Sequence, residues 1–394
     1  MTTVPKLETL TGNQRRLADA LRALGPATRA DLAAATGLSR ATVSTTLGDL
    51  TELGLVVEPG GTTPAGPTGG RPASVVQLSP AAGVAIGVDI GRRHLMVAVA
   101  DLAHTVLAED GLRLAPDEEH SAPQMLDRAA ELVRETLAAS GRSFEDVVGV
   151  GLGIPAPVVT DTGLIGASNI LPQWSGLHPA AEFTKRLNVP VCVENDANLG
   201  ALAEHMWGAG RNSRSLVYLK LATGIGGGMV IGGRLFRGVS GTAGEIGHLS
   251  LDAHGDVCRC GNRGCLELTS GGTALVETLR RTHPEVQSLS ELVQLAVAGD
   301  VPCRRLIADA ATHLGVALGG LLNLMNPDLI IVGGELGRAG DVLLDPLRHA
   351  LSRSAVASAV DAVSVRQGTL GERAEMLGAV ALVLREGDRV PAPF

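Results

Sequence analysis

Three cysteines and a histidine crowd one stretch of the chain: His248, Cys258, Cys260 and Cys265. Nine residues separate His248 from Cys258, one separates Cys258 from Cys260, and four separate Cys260 from Cys265. Three thiolates and one imidazole form a tetrahedral donor set suited to Zn2+, and a closed set of four leaves no position for a water. The ion this predicts is structural, one per chain. Gly261 and Gly264 let the backbone wrap tightly around it. The five cysteines are an odd number, and MTTVPKLETLTGNQRRL has no apolar leader. Reduced thiols holding a metal therefore fit better than disulfides. Three free thiols in a loop is the competing reading, and it leaves the close spacing unexplained. Cys192 lies in an apolar strand and reads as core, while Cys303 has no assignment.

Glycine offers a second chemistry. The chain holds 51 of them in 394 residues, without a collagen period and gathered in short bursts. That pattern marks tight turns and ligand loops. Phosphate recognition needs backbone amides close to the anion with little side chain in the way. Thr223–Gly228 (TGIGGG) has that form, after an apolar strand. Asp89-Ile90-Gly91-Arg92-Arg93 follows another strand but carries two arginines.

These groups must be positioned by a scaffold, and the strand pattern suggests one. Short apolar runs at 83–91, His94–Ala100, Thr105–Glu109, Val147–Ile154, Val189–Val193, Leu216–Ala222, Met229–Ile231 and Leu329–Val332 alternate with helical stretches such as Ser121–Ala139. Meanders with interspersed helices, twice over, predict a doubled α/β fold with a cleft. VDIG at Val88–Gly91 and LATGIGGG at Leu221–Gly228 mark the matching turn in each half.

The first eighty residues have a different texture. Asn13–Leu24 has helical spacing. Thr28 with Asp31 opens a second, short helix that stops at Gly37. Ser39 caps a third, with an inner stripe of Val43, Leu47, Leu50 and Leu53. Two strands follow, Leu55–Glu58 and Ala73–Leu78, joined by a Gly/Pro-rich loop. Helix, turn, helix and wing in this order resemble a winged helix-turn-helix DNA-binding domain. Arg40, Thr42, Ser44, Thr45 and Thr46 face outward on the third helix, and Arg71 stands on the loop, where it can enter a minor groove. The plainer reading is a helical docking module: Gly48 interrupts the third helix, and the segment's charge is only +1, seven Lys/Arg against six Asp/Glu.

The body resembles the ROK family (repressors, uncharacterised reading frames and sugar kinases). The likeness rests on VENDAN at Val193–Asn198, LATGIGGGMV at Leu221–Val230, GTAGEIGHLSL at Gly241–Leu251, CRCGNRGCLE at Cys258–Glu267 and IIVGGEL at Ile330–Leu336, and runs from about Gly83 to Leu384. The resemblance implies an actin/hexokinase-like (ribonuclease H-like) body of two α/β lobes with a sugar cleft. It implies that the Cys/His stretch is the family's zinc loop, and that Asn169, Asn195, Asp196, Glu245, His248 and Glu267 bind the sugar. His248 then serves both sites, one ring nitrogen on zinc and the other on a hydroxyl. In the family's kinases the residue matching Asp196 is the general base for phosphoryl transfer. Those kinases carry D-x-G-G-T at the first loop, so Arg92 and Arg93 depart from the pattern. Asp196 is then expected to be vestigial as a base, and sugar kinase activity is not expected.

Composition excludes several classes. Apolar residues at 45% and charged residues at 19% rule out a disordered chain. The longest unbroken apolar runs stop well short of the ~20 residues of a membrane span. Residues 81–394 hold 26 basic against 35 acidic groups, so the body should repel nucleic acid and membrane surfaces alike. The domains expected are 1–80 as the winged helix with its linker, 81–197 plus 376–394 as a small lobe, and 198–375 as a large lobe with the zinc loop. The function expected is a cytoplasmic sugar-responsive transcriptional regulator, a repressor. It would be a homodimer or homotetramer binding a double-stranded DNA operator with an inverted repeat, with a small-molecule sugar effector that changes lobe closure. The alternatives are an ATP-dependent sugar kinase with an added DNA-binding domain, and a sugar-binding protein whose N-terminal domain docks to another protein.

Overall fold

The computed structural model describes residues 7–59, 74–114, 121–166 and 172–386. Arg71 and Asn169 lie outside the described residues. The chain opens with α1 (Gly12–Leu24), β1 (Ala27–Thr28), α2 (Arg29–Thr36), α3 (Arg40–Glu52), β2 (Val56–Val57) and β3 (Val75–Leu78). Thr28 and Asp31 form the reciprocal capping box expected of them, and Ser39 accepts from the Thr42 amide at the start of α3. Gly37, in the left-handed region at φ 69°, ends α2. The wing strands pair antiparallel, Val56 with Leu78 and Val57 with Gln77. β1, which the sequence reading missed, joins the other side of β3. Arg29 ties the base of the wing together, donating to Ser74 Oγ at 2.7 Å and to Glu58 Oε1 at 2.9 Å.

The inner face of α3 differs from the expected stripe in two places. Thr46 is buried rather than outward, and Leu53 is 38% exposed. Residues 43, 46, 47 and 50 all fall on one helical face, and a threonine methyl packs there as readily as an aliphatic group. Leu53 follows the last helical residue, and the chain has already turned away toward Gly54.

The body continues with β4 (Val84–Ile90), β5 (His94–Asp101), β6 (Val106–Arg113), α4 (Ala122–Ala139), β7 (Val147–Ile154), α5 (Pro179–Leu187), β8 (Val191–Asn195) and α6 (Asp196–Met206). A second series follows: β9 (Ser215–Leu221), β10 (Ile225–Ile231), β11 (Arg234–Leu235), α7 (Glu267–Ser270), α8 (Gly272–Leu279), α9 (Leu289–Ala298) and α10 (Val301–Met325). It ends with β12 (Leu329–Gly333), α11 (Gly334–Gly337), α12 (Asp341–Ser354), α13 (Ala357–Ala362), β13 (Ser364–Gln367) and α14 (Ala374–Glu386). The two large sheets have one plan. Their orders are β6-β5-β4-β7-β8 and β11-β10-β9-β12-β13, an antiparallel meander extended by two later strands beside its first. The doubled fold is therefore present, and its matching turns are β4–β5 and β9–β10. The chain divides into two compact units, 1–152 with 180–192 and 379–394, and 153–179 with 193–378.

The TGIGGG motif is mostly not a loop. β10 begins at Ile225, so Gly226, Gly227 and Gly228 lie within the strand, paired with Lys220, Leu219 and Tyr218 of β9. A Cβ at Gly226 would meet the Ala197 Cβ at 2.9 Å, and one at Gly228 would meet the Ala197 carbonyl oxygen at 2.4 Å. One at Gly227, on the other face, would meet Ile246 Cδ1 at 2.5 Å. These glycines are small because α6 and the Ile246 turn press on the two faces of the strand.

α10 is long and apolar enough to cross a membrane by length and composition alone, although no unbroken apolar run marks it. Half of its most apolar stretch is buried within the fold. Gly315 and Gly319 bring α12 against it, since a Cβ at Gly315 would lie 2.6 Å from the Leu347 carbonyl oxygen. Ile307, Leu314 and Leu318 join Leu292, Leu343 and Leu347 in one core.

The winged helix meets the first sheet through the β5–β6 turn. Asp101 Oδ1 accepts from the amides of Ala103 and Thr105, both at 2.9 Å, and His104 sits between them at φ 72°. His104 Nε2 is 2.7 Å from the Arg22 carbonyl oxygen, so this nitrogen carries the proton. A Cβ at Gly25 would lie 2.7 Å from His104 Nδ1, so the end of α1 must be glycine.

Two predictions follow from this packing. Gly228→Ala should destabilise the protein by about 1–3 kcal/mol through overpacking, whereas Gly48→Ala, with nothing within 4 Å of its new Cβ, should stabilise it by up to about 1 kcal/mol; urea unfolding of both variants checks this. Burial holds the His104 imidazole below its ordinary 6.5, with the positive charge of Arg385 adding to the effect and the Arg22 and Asp101 contacts opposing it. The unfolded chain then binds the proton first, so stability is intact above pH 6.5 and falls as the pH drops below it, by at most about 1.4 kcal/mol per pH unit for one proton. His104→Asn, which tolerates the left-handed backbone, should lose less stability between pH 7.5 and 5.5 than the natural protein.

Candidate functional site

The second unit gathers most of the proposed site residues around the first turn of α6 and the Ile246 turn. Asn195 ends β8 and caps α6, its Oδ1 accepting from the amides of Ala197 at 2.9 Å and Asn198 at 3.3 Å. Asp196 is the first helical residue and is nearly buried. Its Oδ1 accepts from the Ala197 amide at 2.8 Å and its Oδ2 from Lys220 Nζ at 2.8 Å. Lys220 also lies 3.4 Å from Glu375 Oε1, which accepts from Tyr218 Oη at 3.3 Å. Behind them, Glu194 is buried, bound to the Asn195 amide, to Asn198 Nδ2 and to the guanidinium of Arg237.

Glu245 and His248 bracket the 3-10 turn at Ile246. The Glu245 carboxylate lies 3.9 Å from His248 Nε2. Burial pushes its carboxyl up, and the charges of Asp196 and Glu267 add to this while His248 and Arg259 oppose it. Asp196, Glu245 and Glu267 thus share one neighbourhood with His248. Glu267, at the start of α7, is already engaged: Oε2 accepts from the Ile225 amide at 3.0 Å and Oε1 pairs with Arg259. A Cβ at Gly224 would meet Glu267 Oε2 at 2.3 Å, so the β9–β10 turn is closed against this carboxylate.

The other face of His248 meets the thiols. Its Nδ1 is 3.6 Å from Cys258 Sγ, and Cys260 Sγ is 3.6 Å from Cys265 Sγ. The four donor atoms all lie within 4.8 Å of one another, as a group able to hold a metal ion requires. The backbone is built for that crowding. Gly264, at φ 59°, would place a Cβ 1.9 Å from the Asp252 carbonyl oxygen, and Cys265 bridges to Ser250. Burial pushes the Cys265 thiol up to about 12, and the neighbouring thiols of Cys260 and Cys258 add to this. The Cys260 thiol goes the other way: burial raises it, but the hydrogen bonds of the Asn262 backbone and the neighbouring thiols outweigh this and hold it below its ordinary value, and coordination to a cation would remove the proton from either thiol. Cys303, unassigned from sequence, is buried where Asp300 caps α10; Asp300 Oδ2 is 3.4 Å from His283 Nε2. Cys192 Sγ lies 3.5 Å from the Val150 carbonyl oxygen, in the first sheet as expected.

In the first unit, the β4–β5 turn carries Arg92 and Arg93 exposed. His94 is the residue that sequence reasoning overlooked there. Its Nε2 is 2.7 Å from Asp89 Oδ2, and its ring lies 2.1 Å from where a Cβ on Gly91 would be. On α3, Arg40, Ser44 and Thr45 are exposed, and Thr42 is half-buried in the cap, its Oγ1 2.9 Å from Ser39 Oγ.

Sequence reasoning also missed Lys220, Glu375, Glu194 and Arg237. One signal for Lys220 was available: a lone lysine in the apolar strand SLVYLKL must find a partner, because lysine is almost never buried unpaired.

A winged helix joined to a doubled, actin/hexokinase-like α/β body defines the class of protein. The ROK family model matches residues 85–386, and a MarR family model matches residues 8–62. The chain belongs to the ROK family, with a MarR-type winged helix in front of its body. It is similar to the xylose repressor of Bacillus spizizenii, 30% identical over 373 residues that cover 94% of each chain. It is similar to the glucokinase of Thermotoga maritima, 32% identical over 320 residues, 76% of this chain and 96% of the other. Among solved structures, a ROK family transcriptional regulator described as a homologue of the E. coli MLC protein superposes with a TM-score of 0.76, covering 94% of this chain and 96% of that one at 23% identity.

The Glu194–Arg237 pair generates a prediction. Arg237→Met should destabilise the protein by about 3–5 kcal/mol, because it leaves a buried carboxylate without its cation. Adding Glu194→Gln should recover part of the loss, and chemical denaturation of the single and double variants tests both steps.

Proposed function

We propose that this chain is a sugar-responsive transcriptional repressor that acts in the cytoplasm. Its winged helix binds an inverted repeat in double-stranded DNA through Arg40, Thr42, Ser44, Thr45 and Arg71, as a homodimer or homotetramer. Its body binds a monosaccharide through Asn169, Asn195, Asp196, Glu245, His248 and Glu267. The observation that carries this reading is the extent of the likeness: the xylose repressor matches 94% of the chain, winged helix included, whereas the glucokinase match covers 76%.

Zinc is the ion that three thiolates and an imidazole suit, and His248, Cys258, Cys260 and Cys265 are the residues that hold it. Its role is structural. When bound there, the ion would hold the thiol loop and the His248 ring in place, leaving the ring's Nε2 to meet a sugar hydroxyl beside Glu245.

The reading as a repressor rather than a kinase has two supports. The β4–β5 turn carries Arg92 and Arg93 where family kinases carry small groups, and Asp89 is engaged by His94. The β9–β10 turn also gives its Ile225 amide to Glu267 instead of leaving it for a phosphate. Phosphoryl transfer depends on in-line alignment, and ~1 Å of misplacement costs about a hundredfold in rate.

The test has three parts. Full-length protein should retard fragments of its own upstream DNA, with affinity that D-xylose or another monosaccharide alters, and Arg40→Ala should weaken and broaden that binding. Metal analysis should return one zinc per chain, and Cys260→Ser should lose the ion and bind sugar less tightly. With magnesium, ATP and the best sugar, ADP release should stay far below the ~1–100 per second of working kinases. Turnover in that range without any DNA retardation would replace the repressor with the kinase.

A further inference from the structure

We propose that Lys220 is a positioning residue for sugar recognition, holding the Asp196 carboxylate as a fixed hydrogen-bond acceptor and withholding it from proton transfer. The inference rests on the reading of Asp196 as a sugar ligand. It starts from an oddity of the strand. β9 is buried along Leu216–Leu219 and at Leu221, yet it places an ammonium at Lys220 with only 15% of its side chain exposed. A charge so placed persists only if it is paired.

The pairing is two-sided. Asp196 Oδ2 lies 2.8 Å from Nζ and Glu375 Oε1 lies 3.4 Å from it, with side chains 12% and 7% exposed. Glu375 is itself held, since it accepts from the buried Tyr218 hydroxyl. The Lys220 ammonium is thus gripped from α6 and from α14, and its own freedom is removed. The cross-strand neighbour of Lys220 is Gly226, which lacks a side chain because Ala197 presses on it. That close approach brings the first turn of α6, and Asp196 with it, within reach of β9.

The consequence for Asp196 is specific. Its Oδ1 is held by the Ala197 amide and its Oδ2 by Lys220. A carboxylate has about four lone-pair sites, so it still accepts a hydroxyl hydrogen, now in one orientation. If the hydroxyl proton moved onto Oδ2, the ammonium would lose its closest partner in a place with little water. Accepting a hydrogen bond keeps the Lys220 pair intact, whereas accepting the proton breaks it. Lys220 therefore favours binding over base catalysis at the same carboxylate.

The experiment is a double-mutant cycle on full-length protein, read by calorimetric titration with D-xylose and with D-glucose. Lys220→Met should weaken binding of the tighter sugar about tenfold with zinc content unchanged. Asp196→Asn should weaken it similarly, and the double variant should be no weaker than Asp196→Asn alone, within about twofold, because both changes remove one arrangement. Losses that multiply, or a Lys220→Met variant that binds as the natural protein does, would overturn the proposal. A purely structural lysine gives multiplying losses. If Lys220→Met fails to fold, Glu375→Gln replaces it in the same cycle, with a two- to fivefold loss expected that vanishes in the Asp196→Asn background; an unchanged or multiplying loss overturns the proposal there too. Absence of binding of either sugar to the natural protein, with DNA retardation intact, removes the sugar reading for these probes and this role of Lys220 with it.

Discussion

The second unit depends on a strand that has shed its side chains. Gly226 and Gly228 of β10 point one way and accept the first turn of α6, while Gly227 points the other way and accepts Ile246. Two-residue alternation along a strand makes this possible in three consecutive positions. The contact with α6 delivers Asn195 and Asp196, and the contact with Ile246 sets the turn that carries Glu245 and His248. A single methyl at any of the three would push one of these groups away from the others. The glycine-rich motif that suggests a phosphate loop is therefore, in large part, the floor on which a carboxylate and imidazole cluster is built.

On that floor, charge is arranged in two systems that share a few groups. Asp196, Lys220 and Glu375 form one, with Tyr218 behind them. Glu245, His248 and the three thiols form the other. His248 joins Glu245 to the thiol loop because its two nitrogens point to different neighbours. Glu267 spans from this neighbourhood to the β9–β10 turn by accepting the Ile225 amide. Three groups of the two turns and of α6 are already engaged: Asp196 by a lysine, Asp89 by a histidine and the Ile225 amide by a carboxylate.

The winged helix is held to the first sheet through a small and specific joint. His104 reaches the end of α1 from a left-handed position in the β5–β6 turn, and Gly25 makes room for its ring. Burial holds its imidazole below the ordinary histidine range. α3 keeps Arg40, Ser44 and Thr45 exposed, away from the buried stripe at Val43, Thr46, Leu47 and Leu50. The guanidinium of Arg29 is engaged at the base of the wing, by Ser74 and Glu58.

Much of this was legible in the residues themselves. Capping residues, helix-ending glycines, alternating apolar strands and the Cys/His spacing are local signals, set by a few neighbouring residues, and so the caps at Thr28 and Ser39 and the gathering of His248 with three thiols were legible without a fold. The doubled meander was legible for the same reason, since each strand announces itself within about seven residues. What the chain order concealed was every partnership between distant segments. Lys220 and Glu375 are 155 positions apart and Glu194 and Arg237 are 43 apart, and no local pattern marks either pair. The roles of Gly226, Gly227 and Gly228 were misread because a bare strand and a bare loop have one composition. Only the tertiary structure, by showing what presses on each face, decides between them.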